Sequence, residues 1–205
     1  MQRVENPKEY LRRVDKVLGA VIERVDLPER KPHKNHFYAV ARGIIRQQLS
    51  GASADAIERR FAALFSGRKN FFPKAEQILT MPDARMRASG LSHAKISYLK
   101  NLSRAVADKK LDFKRVALLP HEDVIAALTE IKGIGRWTAE MFLIFALDRP
   151  DVFSAGDQGL KNALVRLYRM RAHPSRSRAE KISAQWSPHR TLACRYLWAS
   201  LSMDG

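Results

Sequence analysis

Two features of the segment 128–157 have residue types and spacing that could perform chemistry. The first is the turn 131–136, with the sequence IKGIGR, in which two glycines flank one residue. Glycines let the backbone adopt positive φ and approach a ligand closely, and the helix that follows offers N–H groups to an anion. The second feature is Asp157, a carboxylate that follows the next helix and a loop. A phosphate-binding turn followed at short range by a carboxylate indicates chemistry on a nucleotide.

The turn 131–136 and its two apolar flanks are typical of a helix-hairpin-helix motif. Ile131 and Ile134 are expected to anchor the turn in the core. The residues expected to bind a nucleic-acid backbone are Lys132, Gly133, Ile134, Gly135, Arg136 and Thr138. The alternative is a tight helix–helix turn without a ligand, because a Gly-x-Gly pattern alone is a weak signal.

Composition supports a polyanionic partner. The chain has 205 residues, 45% of them hydrophobic, and a formal net charge of +16. Such a charge is commonly tolerated when the partner is DNA or RNA, although a solvated basic surface is the alternative. The single cysteine, Cys194, excludes an internal disulfide and a four-cysteine metal site. The charged start MQRVENPKEYLRRVD lacks an apolar signal region, and no apolar run is long enough for a membrane span. We therefore expect a soluble intracellular protein.

Asp157 has two compatible interpretations. Aspartate is a good N-cap, and the stretch QGLKNALVRLYR after it predicts a helix. Backbone N–H groups at a helix start also hold and orient a carboxylate, as catalysis requires. The preceding hairpin favours the catalytic interpretation.

Amide and aromatic side chains provide further candidates. Gln47 and Gln48 stand at a predicted helix end, where plain solvated residues are the simpler interpretation. In a DNA-binding protein, an amide there could enter the duplex and fill the gap left by an extruded nucleotide. Trp137 adjoins the hairpin and could stack on a base, while Trp186 is a candidate core residue.

Helical periodicity predicts an all-α fold of two lobes. We expect helices over 7–25, 36–49, 53–65, 74–80, 93–107, 121–130, 136–147, 157–169, 179–185 and 189–201, and an irregular stretch over 108–119. One lobe is expected to comprise residues 36–148 and the other residues 1–35 plus 149–205. A cleft that faces DNA is expected between the lobes.

These residues resemble a known family, the helix-hairpin-helix DNA glycosylases. The likeness is strongest to the 3-methyladenine DNA glycosylase II type, the bacterial inducible enzyme and its yeast relatives. It is carried by IIRQQLSGASADAI, GLSHAKISYL, IKGIGRWTAEMFLIFALDRPDVFSAGDQGLKNAL and WSPHRTLACRYLW. The bacterial enzyme also has an N-terminal β-rich domain, which nothing before Tyr10 could form, so the chain resembles the helical core alone.

The resemblance implies roles for individual residues. Asp157 would be the catalytic carboxylate and Gln48 the wedge that enters the base stack. The pocket for the flipped base would be lined by Trp137, Trp198, Met141 and Phe37. Met141 stands where the bacterial enzyme often has an aromatic residue, so the aromatic cage is expected to be thinner. A monovalent cation, Na⁺ or K⁺, could bind the carbonyls of Ile131 and Ile134, and no catalytic cofactor is expected.

The resemblance also predicts the reaction. Relatives that cut the DNA strand carry a lysine where this chain has Trp137, so we expect a monofunctional glycosylase. A single carboxylate suffices when the leaving base is already cationic, as in 3-methyladenine or 7-methylguanine. The expected partner is double-stranded DNA with damaged bases, bound by a monomer in the cytoplasm with the nucleoid, or in a nucleus. The alternatives are a non-catalytic DNA-binding module and a glycosylase for hypoxanthine, 1-methyladenine or uracil.

Overall fold

The computed structural model describes residues 5–29, 34–49, 51–66 and 71–203. Their regular secondary structure is helical, with no β-strand in these ranges, which confirms the predicted all-α fold. The chain divides into two compact units: unit 1 comprises residues 1–31 and 148–205, and unit 2 comprises residues 32–147. Within the described ranges, no helix has the length and apolar character that crossing a membrane requires.

The helices are numbered in chain order. Unit 1 contains α1 (Pro7–Val14), α2 (Lys16–Arg24), α11 (Gln158–Leu167), α12 (Arg176–Ala184) and α13 (Arg190–Ser200). Unit 2 contains α3 (His36–Arg46), α4 (Gly51–Ala63), α5 (Ala75–Thr80), α6 (Asp83–Ala88), α7 (His93–Ala107), α8 (Phe113–Val116), α9 (His121–Thr129) and α10 (Arg136–Phe145).

In unit 2, the two helices that flank the two-glycine turn belong to the core. Helix α10 packs against α3 and α9, and Leu128, Phe142 and Leu143 are almost fully buried. Gly43 of α3 lies close to α10, since a Cβ atom there would be 3.0 Å from Thr138 Cγ2. Burial of each large apolar side chain stabilises the fold by roughly 1.5–3 kcal/mol. The turn therefore joins two helices that are packed into the core of unit 2.

Unit 1 has a hydrophobic core of its own. Helices α2 and α11 both pack against α13, and the core includes Leu18, Leu160, Trp186 and Tyr196. Trp186 is fully buried, as the sequence predicts. Because α11 is anchored by this packing, the residue at its start, Asp157, has a fixed backbone.

The predicted helix over 7–25 is wrong in one respect, because the chain breaks at Asp15 into α1 and α2. Asp15 has extended backbone (φ −143°, ψ 104°) and accepts a hydrogen bond from Leu18 N. Its Oδ2 also accepts hydrogen bonds at 2.5–3.2 Å from three side chains: Tyr168, Gln185 and Trp186. Burial and the hydrogen bond to Asp15 raise the pKa of Tyr168 above its ordinary value. Apolar spacing continues across the break, so periodicity alone does not show it.

Two further predictions differ from the structure. The helix predicted over 36–49 ends at Arg46, since Gln47 has non-helical backbone and Gln48 a positive φ of 57°. The stretch 108–119, predicted as irregular, contains the short helix α8, whose N-cap Asp112 accepts from Lys114 N. The other predicted helices are present with ends shifted by a few residues.

Candidate functional site

The turn of the hairpin depends on Gly133. Its φ is +105°, and a Cβ atom there would lie only 2.1–2.5 Å from three atoms of Tyr98, a residue of α7. Ile134, the next residue, is 4% exposed and donates its N–H to the Ile131 carbonyl at 3.0 Å. The turn is thus shaped by packing beneath it, while Lys132 remains exposed to solvent.

Helix α10 begins with an arrangement suited to an anion. Its N-cap is Gly135, which is exposed and has open space where a Cβ atom would stand. The first turn of a helix has N–H groups without intrahelical partners, and it carries a partial positive charge. Glycine adds no side chain that competes for these donors. The geometry of this helix start can therefore hold a phosphate oxygen.

Gln47 connects this turn to helix α3. Its Nε2 donates to the Gly133 carbonyl and to Thr138 Oγ1, both at 3.1 Å. The Thr138 side chain is buried against this amide, so its hydroxyl does not face solvent. Sequence reasoning named Gln47 beside Gln48 but missed this support of the hairpin, because nothing in the spacing of the chain relates residue 47 to residue 133.

Gln48 has the opposite orientation from its neighbour. Its side chain is exposed, and its φ of 57° lies in the left-handed region. A side chain in that region costs about 1–2 kcal/mol, and such strain is concentrated at functional positions. The backbone therefore presents to solvent the amide for which the sequence predicts insertion into DNA.

The side chain of Arg136 forms hydrogen bonds with two carboxylates of the protein. Its guanidinium donates to both carboxylate oxygens of Glu122, at 2.9 and 2.6 Å, and to Glu140 at 2.9 Å. The hydrogen bond to Glu122 raises the pKa of Arg136 above its ordinary value. Because Glu140 is almost fully buried, Arg136 supplies the charge that this carboxylate needs. The predicted contact of Arg136 with a DNA backbone therefore depends on its main-chain N–H and not on its guanidinium.

Asp157 is a buried carboxylate with an ordered position. It is 8% exposed, and it is the N-cap of α11, as the sequence predicts. Its Oδ1 accepts two hydrogen bonds of 2.8 Å, one from Leu160 N and one from Trp198 Nε1. Hydrogen bonds to a charged acceptor contribute roughly 1.5–3 kcal/mol each. The carboxylate is therefore fixed by its own helix and by an indole of α13.

Gly159 lies tightly against the contact between Trp198 and Asp157. A Cβ atom at Gly159 would lie 3.0 Å from Trp198 Cδ1 and 3.1 Å from Asp157 Oδ1. Glycine in a helix costs about 1 kcal/mol relative to alanine. Gly159 thus gives the indole the space that it needs beside the carboxylate. The sequence gives no indication of this role.

The other predicted pocket residues belong to unit 2. Trp137 and Met141 are partly buried and are separated by one turn of α10. Phe37 is partly buried near the start of α3, with its ring centroid 6.2 Å from that of Phe72. Within unit 1, the structure brings together Asp157 and Trp198, two of the predicted site residues.

A second turn of unit 2 repeats features of the hairpin. Gly90 has a φ of +100°, Leu91 is fully buried, and Ser92 is the N-cap of α7. The hairpin has the same order of positive-φ glycine, buried aliphatic residue and N-cap. The Ser89 carbonyl accepts from Arg60 Nε at 2.9 Å. The likeness is one of backbone and burial, which is why the sequence shows it only faintly.

The two-glycine turn between α9 and α10, followed by the ordered aspartate, defines a helix-hairpin-helix protein. The chain belongs to the HhH-GPD superfamily of base excision DNA repair proteins, whose family model matches residues 41–189.

Individual relatives agree with this assignment. The chain is 37% identical over 191 residues to DNA-3-methyladenine glycosylase 1 of Schizosaccharomyces pombe, a match that covers 93% of this chain and 81% of the relative. The structure of 3-methyladenine DNA glycosylase Mag1 in complex with abasic DNA, from the same yeast, matches with a TM-score of 0.88 and 34% identity over 97% of both chains. A DNA-3-methyladenine glycosidase from Bacillus halodurans matches with a TM-score of 0.78 and 33% identity, over 97% of this chain and 90% of that one.

Proposed function

We propose that the protein is a monofunctional DNA glycosylase that excises alkylated purines and leaves an abasic site. The observation that carries the proposal is the buried Asp157 carboxylate, held by Leu160 N and the Trp198 indole in a chain of the base excision family. The similarity to yeast and bacterial 3-methyladenine glycosylases supports the substrate class. The site of action is then wherever the cell holds its DNA, a nucleoid or a nucleus.

The reaction needs one well-placed negative charge. The bond between C1′ of the sugar and the purine nitrogen breaks, and its electron pair leaves with the base. A cationic base such as 3-methyladenine departs neutral, so it does not need the second carboxyl group that ordinary glycoside hydrolysis uses as acid. The sugar becomes an oxocarbenium ion, which the Asp157 carboxylate stabilises electrostatically. Water then bonds to C1′ and releases a proton to solvent.

Aromatic side chains would select the cationic base. Stacking of a cation on an indole face contributes about 0.5–2 kcal/mol. Trp198 is a suitable platform, because its hydrogen bond to Asp157 fixes the ring beside the carboxylate. We also assign Trp137, Met141 and Phe37 to the recognition of the flipped base, on the strength of the family resemblance.

The hairpin would hold the DNA backbone without reading its sequence. We assign phosphate binding to the main-chain N–H groups at residues 133 and 135–138 and to the exposed side chain of Lys132, while Ile134, whose N–H bonds the Ile131 carbonyl, supports the turn. A monovalent cation at the carbonyls of Ile131 and Ile134 would strengthen phosphate binding without a part in catalysis. The Ile131 carbonyl accepts one hydrogen bond within the turn, and its oxygen has a second lone pair that could bind such a cation.

The direct test is the release of bases from methylated duplex DNA by the wild-type protein, followed by chromatography. We expect 3-methyladenine and 7-methylguanine among the products. The DNA strand should remain intact until the abasic sites are treated with alkali. Oligonucleotides that contain hypoxanthine, 1-methyladenine or uracil extend the test to other lesions. Tight DNA binding with no base released from any substrate would identify a non-catalytic module and overturn the proposal.

Gln48→Ala should weaken excision from paired duplex more than excision from single strands. The wedge fills the gap left by the flipped nucleotide, and only a duplex has stacked neighbours that close this gap. Single-turnover rates on the two substrates measure the difference. Gln47→Ala is the matched control: it removes two hydrogen bonds of the hairpin and should slow both substrates alike. If Gln48→Ala slowed excision from duplex and from single strands equally, Gln48 would not act as the wedge.

A further inference from the structure

Unit 1 contains a basic cavity that the hairpin and Asp157 leave unexplained. Its volume is about 840 Å³, and its walls come from the end of α11, the loop 169–175, and α12 with the residue that follows it, Gln185. Three arginines line it: Arg169, Arg171 and Arg178. No aspartate or glutamate lines the cavity in the part of the chain that the structure describes.

The arginines of the cavity differ in their partners from two other arginines of unit 1. Arg176 is paired with Glu180 at 2.8 Å, and Arg190 is paired with Asp151 at 2.7 Å. Among the described residues, neither a carboxylate nor a carbonyl binds the guanidinium groups of Arg169, Arg171 and Arg178. Three exposed guanidinium groups around one cavity form a site for an anion.

The position of Arg169 is strained. Its φ is +50° at the end of α11, the position where helices commonly end with glycine. Arginine there has the cost of a Cβ atom in the left-handed region. A residue that keeps this strain is a candidate for a functional role. Arg169 therefore places a positive charge at a position where glycine would give a more stable fold.

The cavity adjoins the helix that carries Asp157. Gln158 Nε2, one residue after Asp157, lies 3.5 Å from His173 Nε2 on the wall of the cavity. On another wall, Tyr168 and Gln185 both donate to the buried Asp15, which holds them in place. The site is thus built on fixed side chains within unit 1.

We propose that this cavity, lined by Arg169, Arg171 and Arg178, is a second binding site for the phosphate backbone of substrate DNA. The volume exceeds that of a single phosphate, which favours a DNA strand over a free phosphate ion. The proposal rests on the action of the protein on DNA, but not on the identity of the lesion. Binding of undamaged DNA tests it separately from base release.

Arg169→Gly is the sharpest test. It should raise the midpoint of thermal unfolding, because glycine relieves the strain, and at the same time weaken DNA binding. The dependence of log K on log salt for an undamaged duplex, measured by fluorescence anisotropy, should become shallower by about 0.9 per lost phosphate contact. A merely structural role of Arg169 predicts no such combination of higher stability and lower affinity.

Lys109→Gly is the matched control. Lys109 has a φ of 57° at the end of α7 in unit 2, so glycine relieves the same strain and removes the same charge. It should raise thermal stability and leave the salt slope unchanged. A second pair repeats the comparison without backbone strain: Arg178→Ala should flatten the slope, while Arg176→Ala, which removes an arginine paired with Glu180, should not.

Two results would overturn the proposal. One is an equal change of slope in Arg169→Gly and Lys109→Gly, or in Arg178→Ala and Arg176→Ala, which would indicate general charge alone. The other combines two measurements. Inorganic phosphate would raise the thermal stability of the wild type but not that of Arg169→Gly, and the two proteins would have the same salt slope for DNA binding. That result would assign the cavity to free phosphate.

Discussion

Asp157→Asn is expected to lower the single-turnover rate of base release from methylated DNA by at least ~100-fold, the loss typical of a removed electrostatic stabiliser. Asparagine is as good an N-cap as aspartate and can accept the same hydrogen bonds from Leu160 N and Trp198 Nε1. The free energy of unfolding should therefore change by only about 1 kcal/mol, measured by urea denaturation. Affinity for undamaged DNA should be retained.

Asp15→Asn is the control for this prediction, because Asp15 is also a buried N-cap of unit 1 with an indole donor. An asparagine cannot satisfy all four donors there with its single oxygen. The substitution should cost about 1–3 kcal/mol of stability and leave the single-turnover rate of base release by the folded protein unchanged at saturating protein, where any weaker DNA binding has no effect. If Asp157→Asn and Asp15→Asn lost activity equally, the special role of Asp157 would be refuted.

Gly133→Ala should cause the largest structural loss at the hairpin. The new Cβ atom would combine the left-handed backbone, at about 1–2 kcal/mol, with a clash against Tyr98, at about 1–3 kcal/mol. We expect a destabilisation of about 2–5 kcal/mol in urea denaturation. The salt slope for an undamaged duplex should also become shallower, because the turn no longer presents its N–H groups to a phosphate.

The second glycine of the turn is the matched control. Gly135 has a φ of −91° and open space around its Cβ position, so Gly135→Ala should change stability by less than about 1 kcal/mol. Adding Tyr98→Ala to Gly133→Ala should relieve the clash but not the backbone strain, and so restore part of the DNA binding. Equal effects of the two single alanine substitutions would contradict the assigned role of Gly133.

The candidate site was predictable from the sequence to different extents. The hairpin turn and Asp157 have local signals, namely glycine spacing and a capping residue before an amphipathic helix. Gln47 and Gly159 have no such signal, because their roles arise from contacts with Gly133 and Trp198. Neighbouring glutamines look identical in sequence, yet one supports the hairpin from inside and the other is exposed in a strained backbone.

The sequence by itself determined what depends on a few neighbouring residues: the all-α class, most helices, the turn and the cap at Asp157. Tertiary structure decided what depends on residues far apart in the chain. Trp198 is 41 residues from the carboxylate to which it donates, and Gln47 is 86 residues from the carbonyl that it binds. Such contacts exist only after the helices pack, since packing sets which side chains meet. Packing of α10 against α9 likewise pairs Arg136 with Glu122, 14 residues earlier in the chain.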